Sequence, residues 1–282
     1  MPDEQYRDLV LRRLAKTCIP LLFYSTKDQA LGIAGTGSMF DLDGRIFLIT
    51  AAHVFDDHKI EDIGVPVLNK NNMALVQNDV GGKSYILEGR TIIALGSGIV
   101  RLHGKIDIAL IEIENYEVIL QLKDTYELLG YDCFEYIKRK ESVIIAGFPI
   151  SLVEKYAGRM IPKILYFETE IIPPPPQEEC ADTIELYHFF MGYDEIEEIN
   201  KGSIDPLDLQ GISGGAIWQI DPRVPRDRLW TAARAMKLIG VERSARKGKF
   251  IRGTHLHALV VMFERVDQKI ASKIKRVVVK NK

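Results

Sequence analysis

Leu209-Gln210-Gly211-Ile212-Ser213-Gly214-Gly215 sets one serine among three glycines, just ahead of the apolar run Ala216-Ile217-Trp218. The glycines let the backbone turn back on itself and keep side chains clear of the serine oxygen. A turn of this kind can aim two backbone N–H groups, those of Gly211 and Ser213, at one point where they would hold a developing oxyanion. Glycine and serine also make ordinary turns. A catalytic reading therefore requires a base and an acid elsewhere in the chain.

A serine hydroxyl is a poor nucleophile until a base takes its proton, and the base needs a third group to fix its tautomer. Two upstream segments offer these groups. In Leu48-Ile49-Thr50-Ala51-Ala52-His53-Val54 an apolar strand ends in small residues and a histidine. In Lys105-Ile106-Asp107-Ile108-Ala109-Leu110-Ile111-Glu112 an aspartate interrupts an apolar run, a costly place for a carboxylate unless something hydrogen-bonds to it. Taken singly, His53 reads equally well as a structural histidine and Asp107 as a strand-edge or salt-bridged residue.

Thr50-Ala51-Ala52-His53, Asp107-Ile108-Ala109-Leu110 and Gly211-Ile212-Ser213-Gly214-Gly215 together resemble the three signature segments of trypsin-like (chymotrypsin-fold) serine peptidases, in that family's order. The resemblance covers residues 30–265. It implies an all-β chain of two six-stranded antiparallel β-barrels with N-terminal and C-terminal helices. Residues 1–130 would carry the first barrel with His53 and Asp107, and residues 131–282 the second with Ser213. Gly147, in Ile144-Ile145-Ala146-Gly147-Phe148-Pro149, is similar to the glycine of the strand that opens the second barrel. The implied activity is that of a serine endopeptidase acting on a protein or peptide. Its catalytic residues are His53, Asp107 and Ser213, its oxyanion donors are the N–H groups of Gly211 and Ser213, and it needs no cofactor or metal.

The same resemblance places Leu207, Gln210 and Glu242 around the specificity pocket. Leu207 stands where an acid would make the pocket trypsin-like. If side chains alternate along the strand holding Gly240, Glu242 faces the pocket and favours a basic residue on the acyl side of the cut. The alternative is that Glu242 pairs with Arg243 or Arg246 at the surface. Ile212 stands where digestive relatives carry the aspartate that pairs with a new amino terminus, so activation by that ion pair is not expected. In this the chain is closer to HtrA-like bacterial enzymes. A regulatory partner protein that orders the oxyanion loop is another route to activity.

Two other readings are open. Gly211-Ile212-Ser213-Gly214-Gly215 also fits the G-x-S-x-G elbow of α/β-hydrolase esterases, with Asp227 and His255 or His257 as partners, but that fold requires a helix straight after the serine. A trypsin-fold binding module without catalysis is the second.

A net charge of −2 argues against a general nucleic-acid binder. No apolar run approaches a membrane span, and the first residues lack the basic-then-apolar plan of a secretory signal. Three cysteines, Cys18, Cys133 and Cys180, suit buried thiols better than a disulfide framework, which favours a cytoplasmic setting.

Hydrophobic periodicity predicts a helix over 3–16 and a strand over 18–24. It also predicts a hairpin turning at Asp41-Leu42-Asp43-Gly44 and a short helix within the inter-barrel segment 124–140. Residues 161–172 read as one strand before a four-proline break, 177–200 as an acidic solvated loop, and 237–242 and 253–261 as strands. A last helix capped by Asp267 is expected beside the second barrel.

Overall fold

The computed structural model describes residues 3–25, 30–58, 62–68, 86–87, 90–94, 99–103, 106–136, 142–156, 159–180, 182–193, 196–198, 202–204, 207–221 and 231–278. Helix α1 (Asp3–Thr17) leads into the first sheet, built from β1 (Ile19–Ser25), β2 (Ala30–Leu42), β3 (Arg45–Thr50), β4 (Ile63–Leu68), β5 (Ile86–Leu87), β6 (Arg90–Ala94), β7 (Ile99–His103) and β8 (Ile108–Ile113). After α2 (Tyr116–Thr125) come β9 (Ser142–Gly147), the small hairpin β10 (Glu154–Tyr156) and β11 (Arg159–Ile161), and β12 (Leu165–Ile172). Then follow β13 (His188–Gly192), β14 (Ile196–Glu198), β15 (Gly202–Ile204), β16 (Ala216–Ile220), the single turn α3 (Ala232–Ala235), β17 (Met236–Arg246) and β18 (Phe250–His255). Helices α4 (His257–Val266) and α5 (Gln268–Val278) close the described chain.

The second sheet runs β13-β18-β17-β16-β9-β12, and β12 pairs back onto β13 through Ile171 with Met191 and Ile172 with Phe190. Those six strands form a closed barrel, and β14 and β15 extend from β12. The first sheet has the order β5-β6-β4-β1-β2-β3-β8-β7, and among the described residues its edges do not pair. The expectation of two six-stranded barrels is corrected to one closed barrel and one open sheet. Closure needs a ladder between edge strands, and among the described residues β5 is Ile86 and Leu87 alone.

Local chemistry explains much of the first sheet. Asp43 and Gly44 both take positive φ, 58° and 82°, the geometry of a two-residue turn that matches strand twist. Gly44 N–H donates to Asp41 Oδ1 at 3.0 Å, tightening the turn. The short helix expected within 124–140 is one 3₁₀ turn over Tyr131–Cys133, and the longer α2 precedes it, where Asn115 Oδ1 accepts from the N–H groups of Glu117 and Val118. The strand expected over 161–172 is broken at Pro162, and the strand expected over 253–261 ends at His255 and becomes α4.

The terminal helices cross between halves. Asp267 caps α5 through the N–H groups of Lys269 and Ile270, as the sequence predicts, with Ile270, Ile274 and Val278 buried on one face. Yet α4 and α5 meet the first sheet: Phe263 packs edge-on to Phe47 with centroids 5.0 Å apart, and Arg45 bonds Asp267 at 2.9 Å. Arg13 of α1 lies over Trp218 of β16. Leu14, Phe47, Trp218 and Phe263 therefore belong to one apolar cluster reaching through both halves. That shared core holds the sheets against each other where the segments after β3, before β8 and before β16 converge.

Candidate active site

Strand β3 ends at Thr50, and one 3₁₀ turn over Ala52–Phe55 follows. Ala52 and Val54 point into the core, so His53 between them points out, with 40% of its side chain exposed. Asp107 occupies the turn before β8 with φ 54°, a left-handed conformation that few non-glycine residues adopt and that aspartate tolerates comparatively well. The strand read through Asp107 in the sequence thus begins one residue later.

The turn aims both Asp107 oxygens at His53. Oδ1 accepts from the His53 backbone N–H at 2.9 Å, and Oδ2 is 2.8 Å from Nδ1. An ionised carboxylate accepts only, so Nδ1 carries the proton and Nε2 presents its lone pair to the cavity. The bond from Asp107 raises the His53 pKa, burial opposes this, and the charges of Asp107, Glu242 and Asp56 reinforce it. Burial pushes the Asp107 pKa up, but the His53 side chain, its backbone N–H and Arg243 outweigh this and leave it below the ordinary value.

The serine loop is pinned from the first sheet. Thr36 N–H donates to Ser213 O at 2.8 Å. The Thr36 hydroxyl donates to Gly211 O at 2.9 Å and accepts from Phe148 N–H at 3.0 Å. On the barrel side, Gly214 N–H donates to Glu242 O at 2.9 Å and Glu242 N–H to Gly215 O at 2.7 Å. Gly211 and Gly214 have φ of 98° and 88°, which an L side chain resists. A Cβ on Gly214 would collide with Thr36 O and Thr50 Oγ1.

Two peptide units in this loop orient the N–H groups expected to hold an oxyanion. Gln210 O accepts from Ile150 N–H, and Ile212 O from Gly215 N–H, each at 2.7 Å. In a trans peptide the N–H points opposite to the C=O. The N–H groups of Gly211 and Ser213 are thereby turned away from those bonds, and neither has a partner among the described residues.

His53, Asp107 and Ser213 line one cavity of about 590 Å³ together with Leu207, Gln210 and Glu242. All the side chains expected at the site from sequence therefore meet in one place. Leu207 is half-buried and its carbonyl accepts from Tyr193 Oη at 2.5 Å. Gln210 is exposed, its N–H bonded to Asp208 Oδ1.

No family model matches the chain, and no curated protein matches it. Among solved structures it is similar to the MamO protease domain of Magnetospirillum magneticum in its apo form, at TM-score 0.48 and 14% identity, over 89% of this chain and 97% of that one. It is also similar to a chain from structural work on the intrinsically disordered VPg protein of Sesbania mosaic virus, at TM-score 0.43 and 12% identity, over 85% of this chain and 87% of that one.

Glu242 is 2% exposed, so the expected surface pairing with Arg243 or Arg246 is not formed. Arg246 bonds Glu179, and Arg243 lies 3.4 Å from Asp107 and 2.7 Å from Asp182. Glu242 lines the cavity beside Ser213, and no hydrogen bond joins Ser213 to His53 among the described residues. Oε2 of Glu242 is buried with no hydrogen-bond partner among the described residues. Burial raises the Glu242 pKa to about 8; Asp107 adds to this, while His53 and Arg252 oppose it.

Sequence reasoning missed Arg243 and Thr36. Strand alternation sends Arg243 to the face opposite Glu242, but the register of β17 against β18 shifts between Glu242 and Ser244, and at such a bulge consecutive side chains can share a side. Both line the cavity. The α/β-hydrolase alternative fails on topology: strand β16, not a helix, follows Ser213, and the barrel is antiparallel. His255 and His257 line a different cavity, and Asp227 lies outside the described residues.

Proposed function

We propose that the chain is a chymotrypsin-fold serine endopeptidase, with His53, Asp107 and Ser213 as its triad. The observation that carries this reading is the two-point hold of Asp107 on His53, at 2.9 and 2.8 Å, in the cavity that Ser213 also lines. Ser213 Oγ bonds to the carbonyl carbon of a peptide as its proton passes to His53 Nε2, and the carbonyl electron pair moves onto oxygen. The N–H groups of Gly211 and Ser213 receive that oxyanion. Collapse breaks the C–N bond, His53 returns the proton to the leaving amine, and water then resolves the acyl-enzyme by the same route. Asp107 holds the imidazole and stabilises its cation. The mechanism draws on no metal or cofactor.

Leu207 and Gln210 form the floor and rim of the specificity pocket in this reading. A protein or peptide is the substrate. The three cysteines are unpaired and buried, which supports a reducing, cytoplasmic setting. Among the described residues no helix is long and apolar enough to cross a membrane.

The lack of a Ser213–His53 hydrogen bond among the described residues favours a second reading, a trypsin-fold module without catalysis or one switched on by a regulatory partner protein. Hydrogen bonds to a nucleophile often form only in the substrate complex. Labelling with a fluorophosphonate decides between the readings. The wild type is expected to label at Ser213 and hydrolyse peptides. Ser213→Ala should abolish both, with a loss on the order of 10⁶ in turnover. His53→Ala should cost about as much, and the double variant little more. Labelling that survives in Ser213→Ala, or none in the wild type, overturns the triad.

A further inference from the structure

Arg252 lines the cavity of the triad, and no step of the mechanism uses it. It sits on β18, a strand paired on both sides, opposite Phe190 of β13 and Ser244 of β17. A side chain on such a strand starts from a rigid backbone. The guanidinium is held as well. Nε donates to Ser244 Oγ at 3.1 Å and Nη1 to Asp182 Oδ1 at 2.6 Å. Those bonds use two of the five N–H donors of a guanidinium, and Nη2 has no hydrogen-bond partner among the described residues. Arg252 is therefore a positioned cation with donors to spare.

Its charge is the least compensated of the two arginines at the site. Asp182 is one carboxylate shared between Arg252 at 2.6 Å and Arg243 at 2.7 Å. Arg243 also has Asp107 at 3.4 Å, whereas Arg252 has its share of Asp182 alone among the described residues. Lys247, on the turn after β17, adds a second cation to this side of the cavity. The other carboxyls lining the cavity are placed elsewhere. Asp107 is bonded to His53, Asp208 accepts from Gln210 N–H, and Asp56 follows the turn that carries His53. Glu242 Oε2 is buried, and burial keeps that carboxyl protonated to about pH 8, so it sets little negative charge against Arg252.

The cation also stands at the right distance from the chemistry. Glu242 is tied to the serine loop through Gly214 and Gly215. Ser244, which holds Arg252, lies two residues further along β17, about 7 Å at the ordinary rise of a strand. One substrate side chain next to the scissile carbonyl spans that gap.

We propose that Arg252 determines specificity by receiving the carboxylate of an aspartate or glutamate on the acyl side of the cut. The proposal rests on the triad reading above, and it reverses the preference for a basic residue expected from Glu242. A guanidinium fork and a carboxylate match in two parallel N–H to O bonds. An asparagine or glutamine in the same place offers one acceptor oxygen and turns an NH₂ group toward the cation, so the site rejects it.

The test is a library of peptides blocked at both ends, in which every carboxylate belongs to a side chain. Wild type should cleave mainly after Asp or Glu, with kcat/KM about tenfold to a hundredfold above the matching Asn or Gln peptides. In Arg252→Gln that ratio should disappear. Arg252→Lys keeps the charge without the fork and should retain part of it. A merely structural Arg252 would lower the rates on acidic and amide peptides by one factor and leave their ratio. Circular dichroism checks that each variant folds, and if Arg252→Gln does not, Arg252→Lys carries the comparison.

Wild-type cleavage mainly after basic or apolar residues overturns the proposal whatever the variants do. So does an acidic preference that survives undiminished in the folded variants. Fluorophosphonate labelling separates these failures from that of the triad. A wild type that labels at Ser213 without an acidic preference leaves the triad standing and the proposal lost. A wild type that does not label overturns the triad, and the proposal with it.

Discussion

Arg243 Nε lies 3.4 Å from Oδ2 of Asp107, the oxygen that also receives the proton of His53 Nδ1. The guanidinium is 11% exposed and is held from its other side by Asp182 at 2.7 Å. A buried cation at this distance draws on the charge that Asp107 would otherwise give to the imidazolium. It also keeps Asp107 ionised against the cost of burial. The site thus sets one carboxylate between the Arg243 guanidinium and the His53 ring, so that Arg243 reaches His53 through Asp107.

Replacing Arg243 by methionine keeps the length of the side chain and removes the charge. With Arg243 gone, Asp107 serves His53 alone, and the His53 titration should move to higher pH by about one unit. The ascending limb of the labelling profile should move with it. Proton NMR of the His53 ring measures the first and fluorophosphonate kinetics the second. A His53 titration that stays in place in Arg243→Met would show that the guanidinium is a structural clip and has no part in tuning the base.

Thr36 is the second residue acting on the site from a distance. Its hydroxyl satisfies Gly211 O and Phe148 N–H together, while its backbone N–H holds Ser213 O. Valine has the same shape and no hydroxyl, so Thr36→Val leaves a buried carbonyl and a buried N–H unpaired, at a cost of about 1–3 kcal/mol. In the proposed mechanism Gly211 carries one of the two oxyanion donors, so the loss should fall mainly on kcat, by roughly tenfold to a hundredfold, with KM little changed. Equal losses in kcat and stability-corrected folded fraction would mean that Thr36 supports the fold and not the donor.

What the sequence made legible divides by the range of the interaction involved. The Asp43-Gly44 turn and the Asp267 cap follow from contacts within three residues, and both were readable. The meeting of His53, Asp107 and Ser213 in one cavity was readable because their segments carry local signatures, and Leu207, Gln210 and Glu242 followed from the resemblance those segments carry. Arg243 was not, because a bulge in β17 breaks the alternation rule at the position where it mattered. Thr36 was hidden because its partner Gly211 is 175 residues away. The run Ala258-Leu259-Val260-Val261 read as strand because an apolar stretch of that length has no period of its own to separate strand from helix.

The last prediction concerns stability and is independent of any activity. Folded, the Glu242 carboxyl keeps its proton to about pH 8; unfolded, it gives it up near the ordinary value of 4.5. Between these values the folded chain holds one proton more than the unfolded chain, so rising pH removes stability. Below the unfolded value there is no penalty, and above about pH 8 the penalty is complete. Glu242→Gln carries an uncharged group at every pH and escapes it. The variant and the wild type should therefore melt at similar temperatures near pH 4, where both side chains are neutral in both states. The variant should gain steadily as pH rises, reaching an advantage on the order of a few kcal/mol at alkaline pH. In a chain of this size that is roughly 2–4 °C in Tm per kcal/mol. Calorimetry at several pH values reads the difference directly. A gap between the two proteins that does not change with pH would show that Glu242 has the same proton affinity folded and unfolded, and that its burial is relieved by a partner the folded chain provides.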